Sequence, residues 1–320
     1  MARDSGFWPV FVQGFPPKPK FHPDQIPDHT GRIVLVTGGN SGIGYETCKE
    51  MLKHNAKVYL AARSPEKADA AIASLKVETG KEGIFLKLDL GSMASVKAAA
   101  QEFFSKESEL HILFNNAGVM VPPVELLTTD EYDLQFGTHV LGHFYLTESL
   151  MPALLAAVRT SPDGHARVVT TSSSSVYLER LHFETFKDGP ERIKLGKAAL
   201  YNQSKHGNAV IARQVAKRYG DQGIVSISLN PSTIQTSLQR HFPAVVHMIL
   251  KAVLLKPVEY GVLTQLFAGT MPEALNYNGE FLIPWARLGR AHPECYNDEI
   301  GERLWDWLQG KVRAFEARQS

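Results

Sequence analysis

The stretch RIVLVTGGNSGIG, residues 32–44, decides how the rest of the chain is read. Its first half is a short aliphatic, β-branched run, the pattern of a strand covered on both faces. The run ends in Thr37-Gly38-Gly39-Asn40-Ser41-Gly42-Ile43-Gly44, and helix-forming sequence follows at once. The glycines at 38, 42 and 44 are spaced GxxxGxG. Glycine permits the tight turn and lets backbone approach a pyrophosphate, whose charge suits a helix N-terminus. Gly-rich turns are common, and it is the position between strand and helix that makes this one informative. Gly38, Asn40, Ser41, Gly42, Ile43 and Gly44 are therefore assigned to a dinucleotide site.

Outward from this turn the same alternation repeats. KVYLAAR (57–63), GIFLKLDL (83–90), HILFNNAG (111–118), RVVTTSSSS (167–175) and GIVSISLNP (223–231) read as strands with their exit turns, and EFLIPWAR (280–287) as a last strand. Helical patterns lie between them: 64–80, where Ser64 and Pro65 suit the N-cap and first turn, the segment after Ser92, Tyr132 to about Ala157, and 195–220. An amphipathic helix closes the chain. Short strands joined by helices imply crossover connections and a parallel sheet with both faces covered. No repeat or flexible linker interrupts 31–320. The expected architecture is one doubly wound α/β domain behind an N-terminal arm, residues 1–30, with ligands beyond the carboxyl ends of the strands.

The chain has 320 residues, 44% hydrophobic and 21% charged, with a net charge of +1. These values fit a globule with an ample core and no global field that would draw it to nucleic acid or anionic lipid. Two cysteines, Cys48 and Cys295, make no disulfide framework, and a cytoplasmic home is expected. No run reaches the roughly 18 apolar residues of a membrane span. The arm holds Phe7, Trp8, Phe11 and Phe15, which either pack back on the body or touch a membrane or partner.

Two further signals carry chemistry. The second strand ends in Ala61-Ala62-Arg63-Ser64, with Arg where an NAD site usually has a carboxylate, which favours NADP(H). Asp89 and Leu90, ending the third strand, are placed near the adenine, with Asp89 as N-cap of the next helix the other reading. In YNQSK, Tyr201 and Lys205 stand four apart, on one helix face. A neighbouring ammonium stabilises a phenolate, so Tyr201 can exchange a proton with a carbonyl or alcohol oxygen.

TGGNSGIG, NNAG (115–118), VVTTSSSS (168–175) and YNQSK (201–205), in this order on alternating elements, resemble the short-chain dehydrogenase/reductase family over about Gly31 to Trp285. GHFYLT (142–147) and RVVTTSSSS look most like its retinol-dehydrogenase-like branch, and FKDGPERIKLGKAALYNQSK (186–205) is similar to fungal members. The resemblance implies a Rossmann-type fold, with Asn116, Ala117, Gly118, Pro231, Ile234 and Thr236 near a bound NADP(H). It implies a catalytic Ser173 holding the substrate oxygen, with Ser172 the neighbouring option. The segment between Ser175 and Tyr201 would be an insertion at the rim. Two positions depart from the pattern. His139 stands where the family has an asparagine that helps a water and the lysine relay protons, and Ser232 stands where the family has glycine.

The expected activity is hydride transfer between NADP(H) and a small apolar or aromatic carbonyl or alcohol. The GxxxGxG spacing argues against dehydratase or epimerase relatives. The substrate wall is expected from His241-Phe242-Pro243, a lid near 237–257, and Phe281, Ile283 and Trp285. A catalytically impaired cofactor-binding scaffold or sensor is the alternative, favoured by His139 and Ser232 and opposed by Tyr201 and Lys205. His139 and His143 could present two metal ligands, but no HExxH or third ligand accompanies them, so no metal is expected. Peripheral membrane contact and a homodimer are left open.

Overall fold

Alternate residues of each central strand point to opposite faces, and here both faces are apolar. Val34, Val36, Val58, Leu60, Ile112 and Phe114 belong to one buried cluster, while Leu35, Tyr59, Ala61 and Leu113 belong to another. Such strands are stable only with helices on both sides. The computed structural model describes residues 6–232, 234 and 256–319. Thr236, His241-Phe242-Pro243 and the expected lid, except Lys256 and Pro257, lie outside the described residues.

The strands are β1 (Ile33–Thr37), β2 (Lys57–Ala62), β3 (Ile84–Lys87), β4 (Ile112–Asn115), β5 (Ala166–Thr171), β6 (Ile224–Leu229), β7 (Phe281–Ile283) and β8 (Arg287–Gly289). They form one eight-stranded sheet in the order β3-β2-β1-β4-β5-β6-β7-β8. β1 to β7 pair in parallel. β8 is antiparallel to β7. α2 (Gly42–Lys53), α3 (Pro65–Thr79) and α9 (Val258–Thr270) cover one face; α4 (Met93–Phe104), α6 (His143–Val158), α8 (Lys197–Tyr219) and α10 (Asp298–Gln319) cover the other. The chain reverses its winding direction between β1 and β4, which opens a crevice at their carboxyl ends.

Local chemistry explains the boundaries. Ser64 caps α3 by accepting from the Lys67 amide, with Pro65 in the first turn, as expected. Ser92, not Asp89, caps α4 by accepting from Ser95 N–H. The long helix expected from Tyr132 begins at Leu134, because the Asp133 carboxylate accepts the Gln135 and Phe136 amides at 3.1 and 2.8 Å. It runs through a short α5 (Leu134–Phe136) and a π-helical stretch, Gly137–Gly142, into α6. Leu134–Val158 is long and apolar enough to cross a membrane, yet most of it is buried against the sheet. The helix expected from Leu195 is divided at Gly196, φ 81°, into α7 (Pro190–Leu195) and α8. EFLIPWAR is not one strand: the chain turns at Ala286, φ 52°, and β8 returns beside β7.

The insertion before Tyr201 is fastened rather than loose. Arg192, almost fully buried, donates to the Val124 carbonyl and pairs with Asp188 at 2.9 Å and Asp133 at 3.4 Å. The N-terminal arm is not wholly extended, since Phe7–Gly14 forms a helix, α1. Phe21 and Ile26 are buried in the core beside α2 and α9. Both cysteines are free and buried.

Gly44, in the first turn of α2, shows how tightly the turn is packed. A Cβ there would lie 2.3 Å from the Gly38 carbonyl oxygen and 2.6 Å from Asn116 Nδ2. Gly44→Ala is expected to destabilise the protein by about 1–3 kcal/mol, as overpacked sites do, read as a lowered midpoint of thermal unfolding. An unchanged midpoint would show that β1, α2 and the turn after β4 separate easily.

Candidate active site

The carboxyl ends of β1 to β6 meet around a cleft of about 270 Å³. Its walls bring together Gly38, Asn40, Ser41, Gly42, Ile43, Arg63, Asp89, Leu90, Asn116, Ala117, Gly118, His139, Tyr201, Lys205 and Pro231. Residues more than 190 apart in sequence thus share one cavity. Gly44 lies behind the turn, where its missing side chain lets α2 approach. Ile234 is buried in the core rather than on the cleft, bridged to Lys256. Phe281 and Trp285 are likewise buried, Phe281 against Tyr177 and Trp285 against Tyr260. With Ile283 packed beside the core, none of these three lines the cleft, which corrects their expected place in a substrate wall. Phe281 and Ile283 belong to β7, which continues the sheet, and Trp285 follows it in the turn toward β8.

At one end of the cleft Arg63 is exposed, without an ion pair or hydrogen bond among the described residues. Asp89 stands beside it, its Oδ1 accepting from Gly91 N–H at 2.9 Å. At the other end Tyr201 is half-buried on the wall, with the Ser173 side chain near enough to act on its phenol. The Ser172 hydroxyl is committed elsewhere, donating to the Lys205 carbonyl at 2.6 Å. The hydroxyl that meets Tyr201 is therefore that of Ser173. Lys205 is buried, and its Nζ donates to the Thr171 carbonyl at 2.9 Å and sits 6.0 Å from the Tyr201 ring centre. Burial pushes the Lys205 ammonium down to about 7. Burial also pushes the Tyr201 phenol up to about 12, against the opposing pull of the Ser173 side chain.

His139 is fully engaged by the protein. Its Nε2 accepts from Val119 N–H at 2.9 Å, so the neutral ring carries its hydrogen on Nδ1, which lies 2.8 Å from Ser204 Oγ. Ser204 in turn donates to the Tyr201 carbonyl at 2.7 Å. The approach requires Gly118, where a Cβ would come within 2.7 Å of His139 Nε2. Burial, then the nearby Lys205 and His143, hold the His139 pKa well below the usual imidazole range. Even the His139 carbonyl is used, accepting from His143 Nδ1 at 3.0 Å. His143 Nε2 meets the Thr37 hydroxyl at 2.9 Å, and burial lowers the His143 pKa to about 3. Neither ring is free for a metal or for a water.

Thr37, Ser204 and Thr171 were not assigned roles from sequence, although they lie inside the glycine turn, YNQSK and VVTTSSSS, and His143 was weighed there only as a metal ligand. Its Oγ accepts the Asn116 and Ala117 amides at 2.9 and 3.0 Å. Ser232, the other departure, keeps φ at 79°, with its amide donating to Asn230 Oδ1 at 2.9 Å. The left-handed turn is thus retained without glycine. Away from the cleft, His206, His292 and Glu294 bring donor atoms within 4.8 Å of one another. These groups already have protein partners: His206 has the Val176 carbonyl and Cys295, His292 has the Glu294 amide, and Glu294 has Arg180.

The cleft invites comparison with known proteins. The short chain dehydrogenase family model matches residues 32–184. Two short-chain dehydrogenase/reductases of Armillaria gallica are similar to the chain. One is 56% identical over 302 residues, 94% of this chain and 97% of that one. The other is 54% identical over 308 residues, 96% and 99%. Among solved structures, an uncharacterized protein from Mycobacterium paratuberculosis aligns with a TM-score of 0.70 at 25% identity, covering 92% of this chain and 97% of that one. A short chain dehydrogenase from Shigella flexneri, complexed with NADP, aligns at 0.62 and 23% identity, covering 79% and 97%. A 3-ketoacyl-(acyl-carrier-protein) reductase from Brucella melitensis, complexed with NADH, aligns at 0.62 and 22%, covering 79% and 96%. A parallel sheet with a nucleotide-sized crevice at its switch point, and near full-length fungal relatives above half identity, make this chain a nicotinamide-dependent oxidoreductase of the short-chain dehydrogenase/reductase family.

Proposed function

We propose that the protein transfers hydride between NADP(H) and the carbonyl or alcohol of a lipophilic molecule, with Tyr201 as the acid/base. The observation that carries this reading is Tyr201 on the cleft wall, with the Ser173 side chain near its phenol and Lys205 buried behind it. The cleft suits a dinucleotide: a glycine turn opens α2, the Asn116–Gly118 turn faces it, and Arg63 waits at the far end. When bound, the nicotinamide supplies or accepts the hydride. Because the phenol is pushed up, it holds its proton at neutral pH and is suited to donate it to a carbonyl oxygen. The Ser173 hydroxyl would hold that oxygen as negative charge grows on it. The Lys205 ammonium would lower the cost of the phenolate left behind.

Arg63 selects NADP(H) in this reading, since solved relatives of the fold carry both NADP and NADH. A guanidinium with no partner can engage a 2′-phosphate bidentately. The cleft wall includes Val119, Leu134, Thr138 and Pro231, and Lys205, the described lysine of that wall, is turned to Thr171. Among the described residues there, a charged substrate would find no free counter-ion, which favours an apolar one. His139 acts as a positioning group, because every polar atom a relay would need is already bonded. A cofactor-binding protein without turnover remains the second reading, since that leaves the family's water relay without its usual partner.

Absorbance of reduced nicotinamide with a panel of apolar ketones, aldehydes and quinones tests the proposal. Tyr201→Phe is expected to lower kcat about 10²- to 10⁴-fold with NADPH affinity little changed. Tight NADPH binding with no turnover on any substrate would favour the second reading. Arg63→Ala is expected to weaken NADPH about tenfold or more while leaving NADH nearly unchanged, measured by fluorescence titration. Equal losses for both would remove Arg63 from cofactor selection. The Lys205 value near 7 also has a consequence for stability. Between there and the ordinary amine range the unfolded chain holds a proton that the folded one lacks, so this group makes folding more favourable as pH rises from about 7 toward 10. The cofactor-free protein is expected to gain thermal stability from pH 6 to 9 relative to Lys205→Met. Parallel pH profiles for the two proteins would contradict this.

A further inference from the structure

Among the described residues twelve large hydrophobic side chains are exposed, and five of them, Phe7, Trp8, Phe11, Val12 and Phe15, lie within nine positions of the N-terminal arm. The other seven are scattered singly, as is ordinary for a protein surface. The five are 45% to 70% exposed and form one ridge on α1. Trp8 stacks on Phe11 at 6.0 Å and Phe11 leans on Phe15 at 5.3 Å.

The ridge cannot roll inward, because the opposite side of α1 is pinned. Pro9 and Gln13 are buried. Gln13 Nε2 donates to the Tyr177 hydroxyl at 2.9 Å, and Asn230 Nδ2 donates to Gln13 Oε1 at 2.8 Å. The Gly6 amide adds a bond to the Tyr177 carbonyl at 3.2 Å. These partners belong to the cleft's surroundings: Asn230 precedes Pro231 of the cleft wall, and Tyr177 follows Ser173 by four residues. Beyond the ridge the chain reads PPKPKFHP, with Lys18 and Lys20 exposed and no acidic residue from Gly6 to Pro23.

We propose that α1 docks the protein on an anionic lipid surface. Phenylalanine and tryptophan on one side of a short helix, next to exposed lysines, is the composition of a helix lying in a membrane interface. The charge that matters is local, and the near-zero net charge of the whole chain does not oppose it. A second copy is a poorer occupant, because a two-fold contact through the ridge would bring Lys18 and Lys20 toward their own counterparts. Docking here would lay α1 between the bilayer and the buried Tyr177 and Asn230, and so hold the cleft's surroundings close to the lipid surface. This last point rests on the proposed apolar substrate, which would enter from the lipid; the docking itself does not.

The test is co-sedimentation of the full chain with vesicles of phosphatidylcholine alone or with about one-third phosphatidylserine. The expected result is binding to the anionic vesicles, weakened by salt, with a blue shift of tryptophan emission. Trp8→Ser with Phe11→Ser is expected to weaken binding at least tenfold. Lys18→Glu with Lys20→Glu is expected to weaken it by about fivefold per lysine or more. Circular dichroism melts show that the variants remain folded. Absent binding of the wild type, equal binding to neutral vesicles, or unaltered binding of the Trp8/Phe11 variant would overturn the proposal. So would a dimer in sedimentation equilibrium that this variant dissolves. Vesicle binding is read without cofactor or substrate, so its failure is distinguishable from failure of the reductase reading.

Discussion

The hydroxyl of Thr37 holds the two halves of the site together. It accepts two amides from the turn after β4, and its contact with His143 continues through His139 and Ser204 to the backbone of Tyr201. Each link has one donor and one acceptor, so the orientation of each neutral ring is fixed by its neighbours. The chain joins the end of β1, the turn of β4, the π-helical stretch and α8, and adds side-chain bonds to the sheet pairing and helix packing that already hold these elements together. A charged imidazole would add a hydrogen where His139 accepts from Val119, and burial opposes that charge in any case.

The electrostatics of the cleft run against easy stability. Lys205 is an amine kept from water with one carbonyl for company, and Tyr201 is a phenol whose ionised form is disfavoured. The buried amine makes the empty protein less stable than an apolar filling would, whereas the phenol, neutral in the folded and unfolded chain alike near pH 7, carries no such cost. An anionic dinucleotide would change this balance by bringing phosphate charge toward groups that now lack it. The free Arg63 at the far end fits the same logic.

Much of the fold was legible because it follows from local rules. The two-sided apolar strands, the cap at Ser64 and the glycine turn all lie within a few residues of their causes. The elements that differed did so for tertiary reasons. EFLIPWAR reads as one strand, but tertiary contacts, among them the Ala286 amide donating to the Thr264 hydroxyl and Trp285 packing on Tyr260, support the reversal into β8. Phe281 and Trp285 look like pocket residues by composition, and their burial in the body depends on where β7 joins the sheet. His139 looks like a relay partner in sequence, because its two ring partners, Val119 and Ser204, are 20 and 65 residues away.

The sequence by itself determined that a strand, a glycine turn and a helix recur as a doubly wound unit, and that a tyrosine and a lysine share one helical face. These are properties of neighbours, set by backbone sterics and by helical and strand periodicity. Only the tertiary structure decided which serine hydroxyl meets Tyr201, that both histidines are spent on internal bonds, and that the aromatic side of α1 faces outward. Those outcomes depend on which groups, distant along the chain, compete for the same donor or the same buried space, and that competition is resolved only when the strand ends come together.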